Sequence, residues 1–306
     1  MYSEREIIGK IRQRFRDSGA ITGIGDDAAV LVPPPSGFST LFCSDLLVEN
    51  THFRRDSHPP ESLGFKSVAI NVSDIGAMGG LPAYCVLSLA LPPETGTAWV
   101  DAFLDGLARA CREFGVALVG GDTAESERIF IDVAMIGSVH AGRAVGRGGA
   151  RPGNDVYVTG SLGNAGRGLS LLGTSGDTEH PAVRRHLYPT PRHSVGYTLA
   201  GRATAMIDVS DGLSRDLAHV LEASGVSAEI DARRVPREND VSLDLALHGG
   251  EDYELIVTGS GLPDEVDGVP LTRIGRIVAS EGADRAWLVT ESGREILEDR
   301  GWRHFG

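Results

Sequence analysis

The chain has 306 residues, 41% of them hydrophobic and 23% charged, with a formal net charge of −13. That length accommodates two domains of ordinary size, and the acidic balance argues against a nucleic-acid-binding face. No apolar run approaches the about 20 residues of a membrane span, and the charged start MYSEREIIGKIRQRF lacks the apolar core of a secretion signal.

In chain order, residues 3–16 read as a helix with Ile7, Ile8, Ile11 and Phe15 on one side. AAVLV and TLFCSDLLV read as strands, and SLGFKSVAINVSDIGAMGG as a helix. AYCVLSLALP is strand-like, and AWVDAFLDGLARACREFG is an amphipathic helix ended by Gly115. VALVGGD and IFIDVAMIGSV follow as strands. A Gly/Arg-rich linker over residues 141–154 leads into a second round. There DVYVTG is a strand, and AGRGLSLL and HSVGYTLAG are helices. AMIDVS, SAEIDA, DYELIVTGS and RIGRIVA are strands. Strands in adjacent runs, without strict alternation with helices, predict an α+β fold of mixed layers. The expected domains are residues 1–147 and 148–306. The three cysteines, Cys43, Cys85 and Cys111, are widely spaced with no CxxC pair, which fits a reducing cytoplasm and neither disulfides nor zinc.

Carboxylates recur at strand ends and glycine turns: Asp26 and Asp27 in GIGDDAAV, Asp45 in CSDLLV, Asp74 in NVSDIGAMGG, Asp122 in VGGDT, Asp208 and Asp211 in DVSDG. Each alone has a plain alternative as a turn former or helix cap: Ser73 or Asp74 for a helix around Ile75, Ser210 or Asp211 for one starting at Leu213. Together they would repel one another unless a cation intervenes. An oxygen-only set with few His or Cys residues favours Mg²⁺ over zinc or iron. YVTGSLGNAGRGL is strand, glycine turn, helix, whose N–H groups would suit phosphate. No Walker A loop occurs. Arg143 and Arg147 lie just before it, either solvated or available to phosphate. The combination points to a Mg-dependent ATP enzyme without a P-loop.

GIGDDAAV, SDLLVENTHF, AINVSDIGAMGG, GGDT, GSLGNAGRGL, IDVSDGLSRDLAH, GGEDYELIV and the late GWRHF occur in the order seen in thiamine-monophosphate kinases, which this chain resembles over essentially its whole length. The resemblance implies the two-domain aminoimidazole ribonucleotide synthetase-like fold, with an N-terminal dimerising domain and a C-terminal α+β domain. It implies a homodimer that phosphorylates thiamine monophosphate from ATP by direct in-line transfer, with several Mg²⁺ ions and no covalent enzyme nucleophile. Mapped motif by motif, the metal ligands would be Asp27, Ser44, Asp45, Asp74, Asp122, Asp208 and Asp211, with Asp74 and Asp211 central to catalysis. ATP contacts would come from Gly121, Asp122, Arg147 and Ser210, and substrate contacts from His52, Glu251 and Trp302. Cys43 stands where the family often has Ser or Thr. If that metal contact uses the backbone carbonyl, Cys43 changes little; if it uses a hydroxyl, the ligand is lost. Rivals are a related superfamily enzyme or a non-catalytic Mg-nucleotide-binding dimer. Selenophosphate synthetase would need a reactive Cys or selenocysteine and an early Lys. The hydrogenase maturation protein would need a C-terminal Cys, whereas this chain ends GWRHFG.

Overall fold

The structure, a computed structural model, describes residues 4–15, 19–25, 27–280, 282 and 285–303. It forms two compact units. One is the chain up to Ile75 with Leu81–Ala141; the other is Gly76–Gly80 with the chain from Gly142 onward.

The first unit runs α1 (Glu4–Arg14), β1 (Phe38–Val48), α2 (Pro60–Ala77), β2 (Leu81–Leu91), α3 (Thr97–Phe114), β3 (Ala117–Glu125) and β4 (Phe130–His140). Its sheet has the order β1-β4-β2-β3, antiparallel except for the parallel β2/β3 pair. Alternation in FIDVAMIGSVH puts Ile131, Val133, Met135 and Val139 on a buried face, joined by Cys85, Leu87 and Leu89 of β2. Helix α2 covers that face: Cys43 reaches Asn71, and Gly137 lies under Ile75. Glycines set how closely α2 and α3 approach. A Cβ on Gly106 would stand 1.8 Å from the Glu61 carbonyl, and one on Gly64 would stand 2.0 Å from that of Phe103. Helix α1 is tied to α3 by Lys10–Asp101 and Arg14–Asp105.

AAVLV, expected as a strand, is not one; Val30 makes a single bridge with Thr22. Pro33, Pro34 and Pro35 follow at once and remove the N–H donors that a ladder needs. Ser73 and Asp74 lie inside the last turns of α2, so neither caps a helix start.

The second unit runs β5 (Asp155–Thr159), α4 (Asn164–Ser175), α5 (Pro181–Leu187), α6 (His193–Leu199), β6 (Ala205–Asp208), α7 (Leu213–Ser224), β7 (Val226–Asp231), α8 (Leu243–His248), β8 (Leu255–Gly259), β9 (Glu265–Val266), β10 (Val269–Ala279), β11 (Ala286–Thr290) and β12 (Gly293–Ile296). Its sheet has the order β12-β11-β7-β10-β5-β8-β6, with β9 paired to β10. The core packs Val156, Val158, Ile207 and Ile256 against Leu213, Leu217 and Leu221 of α7. Strand β8 starts at Leu255, not at Asp252 as DYELIVTGS predicts, because Tyr253 has φ 51, outside strand space. The short α5, α8, β9, β11 and β12 have no counterpart in the sequence reading. Among the described residues no helix is long and apolar enough to cross a membrane.

Candidate active site

In the first unit a cavity of about 460 Å³ is lined by Arg12, Gly25, Asp27, Leu87, Gly121 and Asp122, among others. Gly121 has φ 150, and a Cβ there would stand 1.9 Å from the Leu87 carbonyl, so β3 passes β2 at a distance only glycine allows. Asp122 follows in an exposed position, its Oδ1 accepting from the Thr123 N–H at 2.8 Å. The structure thus brings Asp27, Gly121 and Asp122 together around one cavity.

Ser44 and Asp45 point to opposite faces of β1. Ser44 Oγ donates to Asp132 Oδ1 at 2.8 Å on the open face of the sheet. Asp45 shares the covered side with Leu47 and with Cys43, whose Sγ is 3.5 Å from Asn71 Oδ1, one turn before Asp74 on α2. His52 Nδ1 accepts from the Val48 N–H at 2.9 Å. Its loop, residues 49–59, is pinned by buried Glu49, which binds Arg55 and the Ile129 N–H. Asp26 lies outside the described residues.

In the second unit the turn Ser210-Asp211-Gly212 hangs on a residue the sequence reading missed. Asp216, buried on the first turn of α7, accepts with one oxygen from the N–H groups of Ser210, Asp211 and Gly212, at 3.0, 3.1 and 3.1 Å. Burial, then Asp208 and Asp211, push its carboxyl well above the usual range, against the pull of those N–H groups. Gly212 is the cap residue of α7 and no side chain caps it. Asp211 is therefore no helix cap; its carboxylate faces Arg215, 3.2 Å away. Asp208 ends β6, and 4% of its surface is exposed.

Two distant segments bind this turn by their backbones. The Glu251 N–H donates to the Ser210 carbonyl at 2.8 Å, and the Trp302 N–H to the Asp211 carbonyl at 3.1 Å. Ser210, Asp211, Glu251 and Trp302 are thereby gathered in one place. Glu251 has φ 65, a left-handed conformation that costs a non-glycine residue energy, and its Oε2 is 2.9 Å from buried His186 Nδ1. The Trp302 indole is half exposed. Arg147 is exposed on the segment whose Gly146 carbonyl accepts from the Met206 N–H beside β6.

The remaining acids of GGEDYEL hold the scaffold. Asp252 accepts from the N–H groups of Gly163 and Ala165 at the start of α4. This overturns the phosphate reading of GSLGNAGRG, because a buried carboxylate already occupies those donors. Burial raises the Asp252 pKa to about 6. Glu254, buried, is clasped by Arg185, by both Nε and Nη2 of Arg192 at 2.7 Å, and by Thr159 Oγ1 at 2.6 Å. Burial lowers the Arg185 pKa. Among the described residues no three His, Cys, Asp or Glu groups converge as a ready metal-ligand set.

Family models for AIR synthase related protein match at residues 25–139, the N-terminal domain, and at residues 151–287, the C-terminal domain. Thiamine-monophosphate kinase of Bacillus subtilis (strain 168) is 35% identical over an alignment of 325 positions, spanning 99% of each chain. That of Salmonella typhimurium is 38% identical, spanning 99% of this chain and 98% of the relative. A solved structure described as AaThiL complexed with AMPPCP and TMP is 34% identical and superposes with a TM-score of 0.79 over 100% of this chain and 99% of its own.

Proposed function

This chain belongs to the thiamine-monophosphate kinase family, and from that premise we propose the reaction and the roles of its residues. It is an ATP-dependent kinase that phosphorylates thiamine monophosphate to thiamine diphosphate. The observation that carries the assignment of the site is the backbone junction of three separated motifs: DVSDG, GGED and GW meet through Glu251 N–H to Ser210 O and Trp302 N–H to Asp211 O.

The acceptor phosphate oxygen is already a nucleophile near neutral pH, so the protein needs alignment and charge neutralisation, not a covalent intermediate. The candidate ligands are all oxygen donors, which fit Mg²⁺ by donor chemistry. Asp27, Asp45, Asp74 and Asp122 would hold it in the first unit, and Asp208 and Asp211 in the second. Bound Mg²⁺ supplies charge neutralisation at phosphate oxygens. Gly121, Asp122, Arg147 and Ser210 bind the nucleotide, Arg147 through its guanidinium fork. Trp302 offers an aromatic face to a flat cationic heterocycle. Glu251 is aimed by its strained backbone and by His186. Ser44 Oγ gives its proton to Asp132, which orients the hydroxyl and leaves its oxygen lone pairs available to act as a ligand. Cys43 Sγ is turned to Asn71, which favours a backbone-carbonyl role for Cys43.

Exposed Phe42 and Leu46 on the open face of the first sheet support a homodimer. Three free cysteines support a reducing, cytoplasmic setting. ADP release with and without thiamine monophosphate tests the reaction. Asp74→Asn and Asp211→Asn should each lower turnover by about three orders of magnitude or more while the fold stays intact. A folded, nearly fully active Asn variant at both positions sinks the residue assignment.

A further inference from the structure

The segment that carries Trp302, residues 297–303, belongs to no helix or strand. Its placement therefore needs a specific cause, and the side chains around it supply one. Arg215, on the first turn of α7, reaches in two directions: Nε is 3.2 Å from Asp211 Oδ2, and Nη1 is 3.1 Å from Asp299 Oδ2. Arg303 Nη2 binds the same Asp299 oxygen at 2.9 Å, and Asp299 Oδ1 accepts from the Gly301 N–H at 3.3 Å. Gly301 sits flat on α7: a Cβ there would be 2.6 Å from both Arg215 Cβ and the Asp211 carbonyl. On the other side Arg300 Nη2 is held by Asp244 Oδ1 at 2.6 Å and contacts His248 Nε2 at 2.7 Å.

We propose that Arg215 is a positioning residue that clamps the Trp302 segment onto the Ser210-Asp211-Gly212 turn and fixes one oxygen of Asp211 at the same time. The proposal rests on the roles given above to Asp211 and Trp302. The side chains of Arg215, Asp211 and Asp299 are 22%, 30% and 30% exposed. Ion pairs this open contribute little to global stability. What the network does have is geometry: a planar fork with two carboxylates on it, one on the turn and one on the segment. Arg215 takes Asp211 Oδ2 and leaves Oδ1 for a cation. As a fixed positive charge beside that carboxylate, it also opposes cation binding. Substrate hold and metal hold thus respond to Arg215 in opposite directions, which a general loss of structure would not produce.

The test uses the full chain with Arg215→Ala, Arg215→Lys and Asp299→Asn. Arg215→Ala should raise KM for thiamine monophosphate about tenfold or more, with KM for ATP within about threefold of wild type. Its half-saturating Mg²⁺ concentration should be lower. Arg215→Lys, which engages one carboxylate at a time, should recover part of the KM. Asp299→Asn leaves the Arg215–Asp211 pair in place and should raise the thiamine-monophosphate KM with no change in Mg²⁺ requirement. Hydrogen exchange at the Trp302 amide should quicken in Arg215→Ala and Asp299→Asn. That readout needs no catalytic activity, so it judges the clamp even if the wild-type protein proves not to phosphorylate thiamine monophosphate. If Arg215→Ala does not fold, Asp299→Asn decides. Unchanged exchange at Trp302 overturns the clamp, as does a Mg²⁺ requirement that rises in step with the thiamine-monophosphate KM.

Discussion

Asp216→Ala should be among the most damaging single changes in the second unit, although Asp216 touches no proposed substrate. Its carboxylate takes three backbone N–H groups of the Ser210-Asp211-Gly212 turn, and 2% of the residue is exposed. Alanine leaves three donors without that acceptor, each costing about 1–3 kcal/mol where water cannot replace it. Against this, the change removes a buried carboxylate that Asp208 and Asp211 repel, which returns part of the loss. The net expectation is about 3 kcal/mol, well above the about 1 kcal/mol of an ordinary cap. For a unit of this size it lowers the melting temperature by about 6–12 °C. Thermal unfolding is best read by tryptophan fluorescence in a Trp99→Phe background, which leaves Trp287 and Trp302, both in the second unit, as reporters. Hydrogen exchange at residues 210–212 should accelerate in parallel, and activity should fall because the turn presents Ser210 and Asp211. Asp216→Asn should lie between, since its amide oxygen still accepts from the three N–H groups but without a carboxylate's charge. A loss under about 1 kcal/mol with those amides still protected would refute the reasoning.

Glu254→Gln breaks a buried network of two arginines and a threonine and should cost about 3–5 kcal/mol in urea unfolding; a change under 1 would show that the arginines find other partners. Asp252 has its folded pKa raised to about 6 from the ordinary 3.8. Its contribution is therefore fully present below about pH 4 and lost as pH rises through about 6, by up to about 3 kcal/mol. The pH–stability curves of wild type and Asp252→Asn should diverge over that window, and parallel curves would contradict the assignment. Gly106→Ala should destabilise by about 1–3 kcal/mol or more despite better helix propensity, because its Cβ would strike the Glu61 carbonyl. Gly173→Ala in α4, with nothing within 4 Å of the added carbon, should stabilise by about 0.5–1 kcal/mol, and differential scanning calorimetry separates the two.

The legible and illegible parts of this chain differ by the sequence range of the physics involved. Helix α3 and strand β4 were readable because their apolar period is internal to the segment. The early end of the DYELIVTGS strand was not, because nothing local requires Tyr253 to adopt φ 51. Its neighbours do: Glu251 is bonded to Ser210, Asp252 to Gly163, and Glu254 to Arg185 and Arg192. The same limit explains the acids. From sequence, every Asp or Glu near a glycine turn is an equal candidate for a metal, because a ligand and a scaffold carboxylate carry the same formula. The structure separates them by what satisfies each one. Asp216, Asp252 and Glu254 are buried and satisfied by backbone N–H groups, arginine or a hydroxyl, so a cation has little to add there. Asp27, Asp122 and Asp211 retain exposed surface at a cavity wall or a turn. Asp208 falls between these groups. It is as buried as the scaffold acids, and its charge, with that of Asp211, adds to the burial that pushes the Asp216 carboxyl up. A cation offsets like charge of this kind, so of the second unit's acids it is Asp208 and Asp211, not the satisfied Asp216, that remain its candidates at the edge of the turn.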